Sequence, residues 1–86
     1  MPQVEDEIRE LVAANATLAI GQSSLADDTD LFNAGMTSYA SVTIMMSLED
    51  HFGVEFPESS IRRETFQTIA AMAEVVSSLL DSRPPQ

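Results

Sequence analysis

Apolar residues recur at helical spacing in three stretches of the chain, and this pattern predicts three long helices. The stripe of the first stretch consists of Val4, Ile8, Leu11 and Val12. Acidic residues crowd the first turn of this helix, where the helix dipole favours negative charge. The stripe of the last stretch consists of Ile69, Met72, Ala73, Val76, Leu79 and Leu80. Thr68 stands directly before the last stripe and is predicted to cap this helix, which should end before Arg83.

The middle helix is predicted to begin at Thr37 or Ser38 and to end at Phe52, because the following Gly53 is the residue type that commonly terminates helices. Its core-facing residues are predicted to be Ile44, Met45, Leu48 and Phe52. The residues predicted to point largely away from the core are Val42, Met46, Glu49 and Asp50. The two apolar members of this second set are therefore candidates for contacts with another protein.

The segments between the predicted helices lack a helical period. The polar loop after Asn15 is expected to be fixed to the core by Leu18, Ile20, Leu25, Leu31 and Phe32. Residues 54–57 are expected to be extended, and residues 58–63 are predicted to form a short helical turn. The predicted fold class is therefore all-α, a small bundle of three long helices and one short helix. A single domain is expected over residues 1–86, with its core within about 4–81 and a flexible tail at 82–86.

The charge balance argues against several classes of partner. The chain has 14 acidic and 4 basic residues, for a net charge of -10. Such a charge repels nucleic acids and anionic membranes and favours partners that present Lys and Arg. The absence of cysteine leaves neither disulfides nor thiolate metal sites. No N-terminal signal pattern and no run of 18 apolar residues occurs, and a cytoplasmic location is expected.

Ser38 is the most informative polar residue, since it stands where a glycine-containing loop meets the middle helix. The first turn of a helix exposes unpaired backbone N–H groups and the positive end of the dipole, so a phosphate ester on this hydroxyl would be favoured there. Gly35 allows the tight backbone path that would bring the hydroxyl to an exposed corner. The alternative interpretation is that Ser38 serves only as a helix cap, which is a common role of serine.

Neither a catalytic site nor a metal site is predicted. A serine hydrolase would need His51 beside Ser38, but 13 residues of one helix separate them, which amounts to about 20 Å. His51 is interpreted instead as a partly exposed residue near a helix C-terminus. A calcium loop that began at Asp28 would need glycine at Asn33 and a carboxylate at Tyr39, and the chain has neither.

Two adjacent arginines follow the predicted short turn. Arg62 and Arg63 are too few for a phosphate-binding patch. Their expected role is to offset the nearby carboxylates of Glu58 and Glu64.

The order of several motifs resembles the acyl carrier protein family, whose members hold substrates on a 4′-phosphopantetheine arm. The matching residues span nearly the whole chain and are Asp30-Leu31-Phe32, Gly35-Met36-Thr37-Ser38, Val42, Leu48-Glu49-Asp50, Phe52-Gly53-Val54-Glu55-Phe56-Pro57 and Thr68-Ile69. The resemblance implies that Ser38 carries the arm as a phosphodiester. It also implies a free-standing carrier without catalytic residues, which holds an acyl or aminoacyl group as a thioester.

The surroundings of Ser38 differ from the common pattern of the family. The chain reads Thr37-Ser38-Tyr39 where the family commonly has Asp-Ser-Leu, and it has Ala40 and Thr43 where further acidic residues are common. Together with Phe56-Pro57 and residues 62–66, the segment 34–42 resembles a bacterial subgroup of stand-alone carrier proteins. In that subgroup the arm is charged with a small amino acid by a ligase that resembles a truncated class II aminoacyl-tRNA synthetase.

The resemblance also implies partners: a phosphopantetheinyl transferase, a loading ligase and a downstream transferase, each meeting a monomeric carrier. The residues expected to dock these enzymes are Thr37, Tyr39, Val42, Met46, Glu49 and Asp50. Glu49 and Asp50 have no basic residue at i+3 or i+4, so they are expected to form an unpaired acidic surface that steers brief encounters.

Two alternatives remain open on the sequence. One is an acyl carrier for synthesis of the fatty-acid or polyketide type. The other is an acidic helical module that carries no covalent group and binds a partner through Val42, Met46 and Glu49.

Overall fold

The computed structural model describes residues 3–16, 18, 21 and 24–82. The predicted loop anchor Ile20 and the predicted tail beyond residue 82 lie outside the described residues. The described helices are α1 (Val4–Asn15), α2 (Ser38–Phe52), α3 (Arg63–Gln67) and α4 (Ile69–Asp81), with a 3-10 helix at Glu58–Ser60. The predicted all-α fold class is confirmed, and its three long helices are α1, α2 and α4.

The placement of the short helix differs from the prediction. The sequence predicts one helical turn over residues 58–63, but the structure has the 3-10 helix first and then α3, whose start overlaps only the last predicted residue. Ile61 and Arg62 separate them, and the Arg62 backbone is extended, at φ -139° and ψ 156°. Thr65 and Phe66 of α3 are both buried. Packing of these side chains into the core therefore decides where the helix forms, and that packing leaves no periodic pattern in so short a segment.

The core lies where the three long helices meet. α1 packs against α2 and α4, α2 also touches α4, and α3 packs on α4. The side chains fully removed from solvent include Ile8, Val12, Leu31, Ile44, Leu48, Ile69, Met72 and Val76. These come from all three predicted stripes and from the loop. Met45 and Phe52, predicted for the core, are only partly buried at its edge.

The loop before α2 is held in place at both of its flanks. Leu25 and Leu31 are buried, while Leu18 and Phe32 pack partly buried against the core, as predicted. The guanidinium of Arg9 on α1 donates to the Leu25 carbonyl at 2.8 Å and also pairs with Asp27.

The same loop is bonded to the junction of α3 and α4. The Leu31 N–H donates to the Gln67 carbonyl at 2.8 Å, and the Ala70 N–H donates to the Asp27 carbonyl at 2.9 Å. The Gln67 side chain also donates to Asp30 at 3.0 Å. These bonds join residues that are far apart in the chain, so the loop reaches the start of α2 along a defined path.

Among the described residues, no helix is both long enough and apolar enough to span a membrane.

Candidate functional site

The entry into α2 is a tight turn built on Gly35. This residue has φ 114°, in the region that side chains other than hydrogen strain to adopt. The turn closes when the Met36 N–H donates to the Leu31 carbonyl at 2.9 Å, and the Met36 side chain is buried. The predicted need for glycine here is confirmed by this geometry.

Thr37, and not Ser38, caps α2. The Thr37 hydroxyl accepts a hydrogen bond from the Ala40 N–H at 3.0 Å, and its backbone is extended, at φ -87° and ψ 162°. Ser38 is the first residue of the helix and is exposed. Its backbone carbonyl accepts from the Ser41 hydroxyl at 2.7 Å, but its own hydroxyl makes no hydrogen bond to any described residue. The hydroxyl is therefore open to an enzyme and is not needed for capping.

An open groove of about 240 Å³ lies beside Ser38. One wall is the exposed side of α2, and the other is formed by residues before and within α3. The groove is lined by Phe32, Ser38, Ser41, Val42, Met45, Ile61, Arg62, Arg63 and Phe66. Sequence reasoning missed Ile61 and Phe66 as neighbours of Ser38, because nothing local indicates that two segments more than 20 residues apart share one groove.

Three large apolar side chains stand in solvent along α2. Tyr39 is 84% exposed, Met46 is 54% exposed and Val42 is 51% exposed. Residues at i, i+3 and i+7 share one face of a helix, so these side chains form one stripe that begins beside Ser38. Across the groove Ile61 is also half exposed. The predicted exposure of Val42 and Met46 is confirmed.

The expected acidic surface at the end of α2 is only partly present. Asp50 is exposed, but Glu49 is half-buried, and its carboxylate accepts a hydrogen bond from the Phe56 N–H at 2.8 Å. No described basic residue forms an ion pair with Glu49, as predicted, but its carboxylate is engaged by this backbone N–H. Gly53, with φ 65°, reverses the chain direction, so that the extended segment passes the last turn of α2. The spacing of charged residues along the sequence gives no indication of this reversal.

His51 and Arg63 have partners that the sequence did not indicate. The His51 ring lies 3.0 Å from the Glu7 carboxylate on α1, at the far end of α2 from Ser38. The Arg63 guanidinium stacks over the Phe32 ring, at 4.1 Å from its centroid. Within the described part of the chain neither of the two adjacent arginines forms an ion pair with Glu58 or Glu64, so that expected role was wrong.

Asp30 is the acidic group whose environment is most clearly altered. Its side chain accepts hydrogen bonds from the Gln67 amide at 3.0 Å and the Asn33 N–H at 3.1 Å. These bonds, led by that of Gln67, lower the pKa of Asp30 below its ordinary value of 3.8. The group braces the turn before Ser38 and is not placed as a proton donor.

Comparison with known proteins assigns the chain to a family. The family model described as "Phosphopantetheine attachment site" matches residues 6–76. The chain belongs to this family. It is a carrier protein and not an enzyme, and its cofactor is the covalently attached 4′-phosphopantetheine arm.

Relatives of the carrier protein agree over almost their full length. It is 37% identical over 76 residues to the aminoacyl carrier protein of Agrobacterium fabrum strain C58, covering 88% of this chain and 92% of that protein. A crystal structure of an engineered Bradyrhizobium japonicum glycine:[carrier protein] ligase with ATP and a carrier protein from Agrobacterium tumefaciens matches at TM-score 0.83 and 34% identity, over 88% of this chain and 99% of the matched chain. A solution structure from Agrobacterium tumefaciens matches at TM-score 0.71 and 36% identity, over 90% and 93% of the two chains.

Proposed function

We propose that Ser38 carries the 4′-phosphopantetheine arm and that the arm holds a small aminoacyl group as a thioester. The observation that carries the attachment site is the exposed Ser38 hydroxyl, which makes no hydrogen bond to a described residue, while Thr37 caps the helix. This serine also stands where the resemblance to carrier proteins puts the modified residue. The aminoacyl passenger is supported by the identity to an aminoacyl carrier protein over most of both chains.

The chemistry of attachment needs little from the carrier itself. The Ser38 oxygen attacks the β-phosphorus of coenzyme A, a new O–P bond forms, and the pyrophosphate P–O bond breaks. 3′,5′-ADP leaves, and the hydroxyl proton passes to a base of the transferase. When bound, the arm would supply a thiol that can hold an aminoacyl group as a thioester. The carrier contributes an accessible hydroxyl and a docking face.

The docking face comprises Thr37, Tyr39, Val42, Met46 and Asp50. The stripe of α2 next to Ser38 is apolar and uncharged, and this favours a partner that covers it with apolar side chains. An amino acid:[carrier protein] ligase is proposed as that partner, since a similar carrier is found in complex with such a ligase. Glu49 leaves the docking set, because its carboxylate serves the fold. The phosphopantetheinyl transferase, the downstream transferase, the monomeric state and the cytoplasmic location stay predictions.

A modification assay tests the attachment site. The protein is incubated with coenzyme A and a broad-specificity phosphopantetheinyl transferase, and its intact mass is measured. The expected result is the gain of one phosphopantetheinyl group, with no gain in Ser38→Ala. Ser41→Ala is the matched control, because this second serine lines the same groove and should leave the mass gain unchanged. Absence of any gain in the parent protein would favour the unmodified interaction module.

A loading assay tests the passenger. The arm-bearing protein is incubated with ATP and an amino acid:[carrier protein] ligase, in separate reactions with glycine and alanine, and a thioester is sought by mass. A hydroxylamine-sensitive mass gain is expected. Exclusive acceptance of long acyl groups from an acyl:carrier ligase would instead support the fatty-acid or polyketide alternative.

A further inference from the structure

Within the described residues, most of the positive charge lies beside Ser38. The structure describes three arginines, and Arg9 is already paired with Asp6 and Asp27 on the loop side of α1. The other two, Arg62 and Arg63, both line the groove that Ser38 lines. In a chain of net charge -10, this corner is therefore locally basic.

The guanidinium N–H groups of both arginines are available to bind a ligand. Neither the Arg62 nor the Arg63 guanidinium makes a hydrogen bond or an ion pair within the described ranges. Arg63 is oriented by its stacking on Phe32, a contact that leaves its N–H groups available. The nearby carboxylate of Asp30 is engaged by Gln67 and Asn33. The groove thus presents two guanidinium groups that form no ion pair within the described residues, and the stacking on Phe32 orients that of Arg63.

We propose that Arg62 and Arg63 bind the phosphodiester of the arm on Ser38 and direct the first part of the arm into the groove. This inference rests on the proposed attachment at Ser38. A phosphodiester carries one negative charge and oxygen acceptors that match the guanidinium donors. A single phosphodiester needs only a pair of arginines, so the sequence argument that two are too few for a phosphate patch does not apply.

The size and lining of the groove fit the beginning of the arm. After the phosphate comes a carbon bearing two methyl groups, and the groove offers apolar contacts from Val42, Met45, Ile61 and Phe66. Its volume of about 240 Å³ is smaller than the roughly 300 to 1,000 Å³ of pockets that bury drug-sized ligands. The groove can therefore seat the phosphate and the methyl-bearing carbon, and it leaves the thiol and its passenger outside, where a partner enzyme reaches them.

The test uses the arm-bearing full chain. Protein labelled with ¹³C and ¹⁵N is modified with unlabelled coenzyme A, and its mass is checked first. Isotope-filtered NOE spectra then report which protein protons lie near the arm methyl groups. We expect NOEs to Val42, Ile61 or Phe66 in the parent protein, and a drop of about fivefold or more in the docked-to-undocked ratio for the R62Q/R63Q double variant. The ³¹P signal of the phosphodiester should shift in the same variant.

Two comparisons separate a specific contact from general charge. The single variant Ser77→Glu, on the exposed side of α4, changes the net charge as much as R63Q does and should retain the NOEs. Raising the salt concentration should weaken the NOEs of the parent protein, because the arginines and the phosphate are screened. If the double variant cannot be modified, the NOEs of the parent protein and their weakening by salt decide whether charge holds the arm in the groove.

The outcomes distinguish this inference from the proposed function. Absence of a mass gain at Ser38 overturns both. A normal mass gain without NOEs between arm and groove, or with NOEs that R62Q/R63Q leaves unchanged, overturns the arginine contact and leaves the carrier function intact.

Discussion

The carboxylate of Glu49 accepts a hydrogen bond from the Phe56 N–H at 2.8 Å, which ties the last turns of α2 to the segment that leads into α3. Phe56 is itself buried and stacks on Phe66, with ring centroids 5.8 Å apart. Phe66 in turn lines the groove beside Ser38. A residue expected on a docking surface therefore supports the wall of the candidate site.

Replacing this carboxylate should destabilise the fold. We expect Glu49→Ala to lower the free energy of unfolding by about 1–3 kcal/mol, because it leaves the part-buried Phe56 N–H without its partner. Glu49→Gln keeps an acceptor oxygen and should cost less. Urea unfolding monitored by circular dichroism gives the comparison. Asp50→Ala, at the exposed neighbour, is the control and should stay within about 0.5 kcal/mol of the parent. Equal losses for Glu49→Ala and Asp50→Ala would contradict the bond's role.

Capping and attachment should separate between two adjacent residues. Thr37→Ala is expected to cost about 1 kcal/mol of stability, because the Ala40 N–H loses its acceptor. Thr37→Asp should restore the cap and add a charge that suits the helix dipole. Ser38→Ala should change stability by less than about 0.5 kcal/mol while abolishing the mass gain from coenzyme A. Thermal unfolding and intact mass, measured on the same samples, check both halves. A large loss of stability in Ser38→Ala would contradict the assignment of the cap to Thr37.

The apolar stripe of α2 should govern loading more than folding. Met46→Glu places a charge on the proposed ligase contact and is expected to reduce kcat/KM for aminoacyl loading about tenfold or more. Its stability should change little, since the side chain is half exposed. Ala14→Glu, on the exposed face of α1, has the same change in charge and should load normally. Equal loading of both variants would show that the ligase does not contact the docking face at Met46.

Stability should depend on Asp30 in the acid range. The pKa of Asp30 is lowered in the folded protein, chiefly by the Gln67 hydrogen bond, so the unfolded state binds this proton more readily. The stabilisation is therefore present above the unfolded value of 3.8 and is lost as pH falls through the lower folded value. Asp30→Asn should flatten this part of the stability curve. Urea unfolding at pH values above and below 3.8 measures the pH dependence of the free energy of unfolding. An equally steep decline in the variant would contradict the role of Asp30 in this dependence.

Part of the candidate site can be predicted from the sequence, and part cannot. Thr37, Ser38 and Gly35 could be assigned their positions because capping, helix starts and positive φ are local properties of a few consecutive residues. The groove could not be anticipated, since Ile61 and Phe66 meet α2 only after the chain has passed through Gly53 and an extended segment. Arg63 was expected to pair with neighbouring carboxylates, yet it stacks on Phe32, a residue about 30 positions earlier.

By itself the sequence determined α1, α2, α4, the cap at Thr68, and the place of Ser38 at a helix start. Apolar periodicity and capping act between residues three or four positions apart, so they can be seen along the chain. Only the tertiary structure decided where α3 begins, that Glu49 holds Phe56, and that two arginines stand beside Ser38. These features depend on contacts between distant segments, whose geometry exists only once the core has packed.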